Sequence, residues 1–197
     1  MKSKKDKIID AAIDLFAEKG FGNTSTAKIA VQAEVAQGTL FYHFKNKEGI
    51  LCEVLRQVLD QTTEACRAIP HDGTSGYTCI ETLLRTEVAI IQQQSKKVMV
   101  LIRDMTDEVH HPGTVGHELI ESFLTFKINL LCQFLRKGIA DHSIRPLAVE
   151  ETAWLLDAAF YGVIHTKLLK SFAVPPLEEH AIQFCLYALT PQSTQQT

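Results

Sequence analysis

Apolar residues recur at helical spacing along most of this chain, and short polar breaks separate the segments that carry them. Ile8, Ile9, Ala12, Ile13 and Phe16 fall on one face of a helix predicted from about Ser3 to Lys19. Gly20 follows, a residue suited to the conformation that ends a helix, and Phe21 can fold back onto the apolar face. A second helix starts near Ser25 or Thr26, whose hydroxyls can cap free backbone N–H groups, and buries Ile29, Ala30 and Ala33. A third spans about Gln37 to Phe44. A fourth begins near Asn46 and continues through Ile50, Leu51, Val54, Leu55 and Val58 toward Cys66.

Pro70 to Gly76, reading PHDGTSG, is the clearest interruption. A helix from about Tyr77 to Gln94 then places Ile80, Leu83, Leu84, Val88 and Ile91 on one side. The run Val98 to Ile102 is continuously apolar and is expected to be a buried helix, although the run alone also permits a strand. After His110-His111-Pro112-Gly113, a long helix from about Val115 to Lys137 carries Leu119, Ile120, Phe123, Leu124, Leu131, Phe134 and Leu135. The last two helices, predicted between Leu147 and Phe172 and between Leu177 and Leu189, are apolar on several faces. Such helices must be covered on more than one side, which suggests a subunit interface. The tail from 191 to 197 is polar and expected to be disordered.

These patterns define an all-α protein, and composition narrows its class. Hydrophobic residues make up 46% of the 197, with only ten Gly and six Pro, which fits a folded, helix-rich chain. No apolar run reaches the roughly eighteen residues of a membrane span, and the basic start leads into an amphipathic helix with Asp10, Asp14 and Glu18. A cytoplasmic protein is expected. Five scattered cysteines without a C-x-x-C pair read as buried thiols in a reducing compartment. The net charge of −3 divides unevenly: residues 1–50 carry +2 and the remainder −5. The N-terminal end is thus the one that could approach phosphates.

Residues 20 to 51 hold the most specific chemistry. Two short helices separated by about four residues, the second richer in polar contacts than in core positions, form a helix-turn-helix pattern. Gln37 and Thr39 lie in the first turn of the second helix, where an amide can pair with adenine and a Thr methyl can meet a thymine methyl. Gly38 lets the helix start come close to the sugar–phosphate backbone. Tyr42, His43 and Lys47 could reach phosphates, as could Thr26 at the start of the preceding helix, where N–H groups also face anions. Leu40 and Phe44 are expected to face inward. One such helix reads too few base pairs for useful specificity. Two related by a dyad would reach successive major grooves about 34–36 Å apart, which calls for a homodimer and a near-palindromic operator.

The segment resembles the DNA-binding domain of the tetracycline-repressor (TetR) family of bacterial regulators. The likeness runs through Gly20, Phe21, Thr24, Ile29, Ala30, Ala33, Val35, Gly38, Thr39, Leu40, Phe41, His43, Phe44, Asn46, Lys47 and Glu48. It implies a three-helix DNA-binding domain over residues 1–48 and a larger helical effector-binding and dimerisation domain over 49–190. It also implies a transcriptional repressor released from double-stranded operator DNA by a small molecule, with no enzymatic activity and no cofactor. Four positions depart from the family pattern. Glu34 stands in a turn where Gly is usual and positive φ is often needed, at a cost of about 1 kcal/mol. Ala36 replaces the usual Ser or Thr cap, losing about another 1 kcal/mol. Phe41 replaces a common Tyr, and Ala27 a frequent basic residue.

In proteins of this family, filling a cavity in the larger domain changes the separation of the two recognition helices. Polar residues set among apolar helical faces are the candidates for effector contact: Arg103, His117, Asn129, Trp154, Asp157 and Tyr161. Together they would suit a mostly apolar ligand with a polar or anionic end, Arg103 serving as counter-charge. A competing reading uses His110, His111 and His117 with Glu118 and Glu121. His117 and Glu121 are four apart on one helical face, a spacing that can serve a metal sensor or a helical metal-dependent hydrolase. A solvated loop is the plainer account of that cluster, and no metal site is expected.

Overall fold

The computed structural model describes residues 2–104, 110–169 and 175–191, and every regular element among them is an α-helix. In chain order these are α1 (Lys4–Lys19), α2 (Thr26–Gln32), α3 (Gln37–His43), α4 (Lys47–Arg67), α5 (Gly76–Gln93), α6 (Ser95–Asp104), α7 (Val115–Ala140), α8 (Val149–Leu169) and α9 (Glu178–Leu189). The run Val98–Ile102 is helical, which removes the strand alternative. After Pro191 the polar tail lies outside the described residues, as does the stretch expected to extend α8 to Phe172.

Local chemistry sets the helix ends. Ser3 Oγ accepts from the Asp6 amide at 3.1 Å while the Asp6 carboxylate accepts from the Ser3 amide at 3.3 Å, a reciprocal cap on α1. Gly20, at φ 82°, ends that helix and returns its N–H to the Phe16 carbonyl at 2.9 Å. Ser25 caps α2 through the Lys28 amide, and Asn46 Oδ1 accepts from the Gly49 amide at 2.8 Å ahead of α4.

By packing, the chain forms two compact units. The first takes residues up to Asp60 together with Gln94–Glu121. Ile8, Ala12 and Phe16 of α1, Ile29 of α2, Leu40 of α3, Ile50 and Val54 of α4 and Val100 of α6 are all fully buried there. Phe21 packs on Phe16 with ring centroids 5.1 Å apart. Packing therefore groups α6 with the first three helices, where the sequence suggested a division at residue 48. Val100 and Leu101 complete the α1 core, and Lys96 reaches Asp14 at 2.5 Å.

The second unit takes Gln61–Gln93 and the residues from Ser122 onward. Its core includes Ile80 and Leu83 of α5, Phe134 and Leu135 of α7, Ala153 and Phe160 of α8, and Ile182 and Leu189 of α9. Gly76 lies so close to the backbone of Gly138 that a side chain there would overlap it, so glycine is what lets α5 approach α7. All five cysteines are buried free thiols, and burial pushes the Cys66 thiol up to about 12. At neutral pH that sulfur stays protonated and unreactive.

Candidate functional site

The turn between α2 and α3 is built on strain. Glu34 adopts φ 55°, and its N–H donates to Val31 O at 3.1 Å while the Val35 N–H reaches Ala30 O at 3.0 Å. A side chain in this left-handed region crowds the following carbonyl. The Glu34 side chain is 84% exposed, with Lys7 no nearer than 3.9 Å, so it recovers little. Ala36 then starts α3 without any side-chain capping bond. Both costs anticipated from the sequence are therefore present.

Seven residues make α3, too few to hold their own shape, so its stability comes from anchoring. Leu40 and Phe44 face inward, fully or nearly fully buried, against α1 and α2. Everything else points out. Gln37, Gly38 and His43 are exposed, Thr39 is half-buried, and Tyr42 stands 85% exposed with its ring edge-on to His43 at 5.1 Å. Phe41 and Val31 are exposed as well, an apolar display that a finished surface would not need. At Gly38 an added β-carbon would meet only open space and φ is not positive. The fold itself makes no demand for glycine there. Thr26 opens α2 half-buried, next to its capping Ser25.

Lys47 differs from the expectation of a free phosphate contact. Its ammonium donates to the Phe21 carbonyl at 2.8 Å and the Thr24 carbonyl at 3.3 Å, and sits 4.2 Å from the centre of the Phe21 ring. It fastens the start of α4 to the α1–α2 connection.

The six residues expected to meet an effector scatter. Arg103 lies in the first unit, where Nη2 donates to the Phe16 carbonyl at 2.5 Å and both Nε and Nη2 bind Asp104. It closes the last turn of α1 from α6 instead of facing a cavity in the larger unit. His117 is half-buried in the first turn of α7, and Asn129 is exposed. Trp154 and Tyr161 stand 53% and 57% exposed on α8. They share that outward side with Leu155, while α9 exposes Phe184 at 74% and Tyr187 at 80%. The groove between these helices, lined by Ala159, Val163, Ala181 and Phe184, encloses only about 230 Å³. That is small for a ligand pocket but suits an interlocking side chain.

Asp157 is half-buried, its side chain only 12% exposed, and an ion cluster accounts for its place. Lys127 of α7 sits 2.7 Å from Asp157 Oδ1 and 2.7 Å from Glu87 Oε1 of α5. Burial drives the Glu87 carboxyl upward from its ordinary range against the pull of Lys127. Burial also acts to lower Lys127, but the two carboxylates outweigh it and keep the ammonium charged. The pattern held one clue to these partners: Glu87 lies between Leu83 and Ile90, and Lys127 beside Ile128 and Leu131, polar residues on core-facing positions.

His110 and His111 are exposed beside the loop. Among the described residues, no three His, Cys, Asp or Glu side chains converge as a metal site, and no helix is long and apolar enough to cross a membrane.

Comparison with known proteins bears on the same regions. A sequence profile described as "Bacterial regulatory proteins, tetR family" matches residues 8–54, which contain the helix-turn-helix. The chain is 32% identical over 166 residues to the HTH-type transcriptional repressor KstR2 of Rhodococcus jostii, covering 81% of this chain and 78% of that protein. Its fold is similar to that of the transcriptional regulator FadR from Bacillus subtilis, solved in complex with stearoyl-CoA. The TM-score is 0.73 at 21% identity, over 93% of this chain and 98% of that one. The ketosteroid transcriptional regulator KstR2 of Mycobacterium tuberculosis gives a TM-score of 0.74 at 19% identity, over 98% and 97%.

Proposed function

The chain belongs to the TetR family of bacterial regulators, and from that premise we propose that it binds a near-palindromic operator as a homodimer and leaves it when a small molecule enters its larger unit. The observation that carries the DNA-binding half is α3 itself. This short helix is anchored by Leu40 and Phe44 and presents Gln37, Gly38, Thr39, Tyr42 and His43 outward. Gln37 and Thr39 read base edges. Tyr42 and His43 hold phosphates, joined by Thr26 and the N–H groups that start α2. Lys47 contributes one remaining donor of its ammonium while its other bonds set the pose of the unit.

The outward apolar side of α8 and α9 supports the dimer. Trp154, Leu155, Tyr161, Phe184 and Tyr187 together form a larger apolar display than a solvated monomer ordinarily keeps. A second copy of the same surface covers it by a dyad, in the manner of a four-helix bundle with two helices from each subunit. The effector half rests on the buried charges of the larger unit and on the likeness to FadR, a regulator whose structure holds stearoyl-CoA. The protein acts in the cytoplasm, where its DNA lies.

A gel-shift on DNA flanking its own gene tests the reading. The native protein should retard a specific fragment, and Gln37→Ala or Tyr42→Ala should weaken that retardation about tenfold each. Unchanged affinity in both variants, or no retarded fragment, would overturn it.

A further inference from the structure

One buried polar group in the larger unit is left unsatisfied. Glu87 and Asp157 flank one ammonium, that of Lys127, and all three side chains are at least seven-eighths buried among core residues such as Leu131 and Phe160. Lys127 touches both acids at 2.7 Å, yet Glu87 remains poorly served. Its Oε2 has no hydrogen-bond donor, and its Oε1 has only the close, badly directed approach of Lys127. A carboxylate left so, at 3% exposure, destabilises a fold. Apolar residues of equal volume would remove the cost altogether.

Burial favours the neutral form of Glu87, and only a further positive charge would let both acids ionise together in a place shielded from water. Resting on the effector-responsive regulator set out above, we propose that Glu87, Lys127 and Asp157 form the polar anchor of the effector site, and that the effector is a cation: an apolar body ending in a protonated amine. The amine supplies a second positive charge and donates to the bare Glu87 oxygen, and its apolar body requires the core around Leu131 and Phe160 to open. An anionic head meets the opposite situation, because the lysine that would attract it is already held by two acids. The inference thereby reverses the polarity suggested by Arg103, whose guanidinium is engaged elsewhere.

The test uses the purified full-length protein with its retarded DNA fragment and three chain-matched probes: dodecylammonium, dodecanol and dodecanoate. Thermal unfolding and gel-shift are read for each, below micelle-forming concentrations. Dodecylammonium should raise the Tm and weaken DNA binding at least tenfold, dodecanol should act more weakly, and dodecanoate should do neither. Glu87→Gln, which keeps the shape and removes the charge, should lose at least tenfold of the dodecylammonium affinity. Asp157→Asn should shift it in the same direction and serves if the first variant fails to fold. Dodecanoate acting as well as the amine would overturn the proposal, as would an amine effect that persists in both variants or the failure of every probe to bind. The regulatory reading fails separately, when the protein without any probe retards no DNA.

Discussion

The two units place their polarity in opposite ways. In the first, an ordinary apolar core of α1, α2, α4 and α6 carries a short helix whose polar and aromatic side chains all point outward. In the second, charges are sunk in the core while large apolar side chains stand in water on α8 and α9. Each unit keeps something a stability-optimised fold would discard: a strained turn and an uncapped helix in one, a poorly satisfied ion cluster and an uncovered apolar face in the other.

The sharpest way to break this contrast is to make the exposed apolar face polar. Phe184→Asp puts a charge where a partner subunit should pack, and central aromatic residues of interfaces typically contribute about 2–4 kcal/mol. Dimerisation should fall at least a hundredfold by analytical ultracentrifugation, and operator affinity should fall with it, because paired half-sites need paired helices. Helical content should remain, since Phe184 is 74% exposed within its own chain. A dimer of undiminished strength would place the subunit contact elsewhere.

Within the first unit, Lys47 separates positioning from contact. Replacing it by Met deletes two charge-assisted bonds to backbone carbonyls and the stacking on Phe21. A loss of about 2 kcal/mol in urea unfolding is expected. A phosphate contact alone would leave stability intact and reduce only the salt dependence of binding. Gly38→Ala does the reverse. Open space receives the new methyl group, so stability should hold or rise slightly, while DNA affinity should fall about tenfold where the backbones must approach. Equal affinity would show that the duplex stays clear of that position.

What the sequence revealed follows the same division. The first unit is legible because the residues proposed to meet DNA are neighbours: Gln37 to His43 is a single helix, and its anchors and turn lie within a few positions. Helical spacing also located the other described helices, because the period of apolar residues is a local property, whereas the continuous run at Val98–Ile102 left a strand open until the structure showed a helix. The ion cluster is not local. Glu87, Lys127 and Asp157 come from three helices, and each alone resembles a solvated charge on an amphipathic face until packing brings them together. The engagement of Arg103 was hidden for a related reason: α6 returns to α1, a pairing that no spacing within α6 announces. Trp154 and Tyr161 lie among apolar positions in the sequence, and only the fold shows that their helix turns them outward.

The smallest effect is also the cleanest. Glu34 holds φ 55° in the turn that aims α3, a conformation costing a residue with a β-carbon about 1–2 kcal/mol. Glu34→Gly removes that strain but gives the unfolded chain extra freedom, worth about 0.4–1 kcal/mol in the opposite direction. The balance is a gain of roughly 0.5–1 kcal/mol, measurable as a higher denaturation midpoint. Glu34→Ala supplies the control, since it removes the same carboxylate and the loose approach to Lys7 but keeps the β-carbon. Any change shared by the two variants reports the charge; the difference between them reports the backbone. If Ala stabilises as much as Gly, the penalty is electrostatic and the turn is relaxed. If only Gly stabilises, the reading helix is held by a turn kept under strain, and DNA affinity in the Gly variant measures whether that strain helps to aim it.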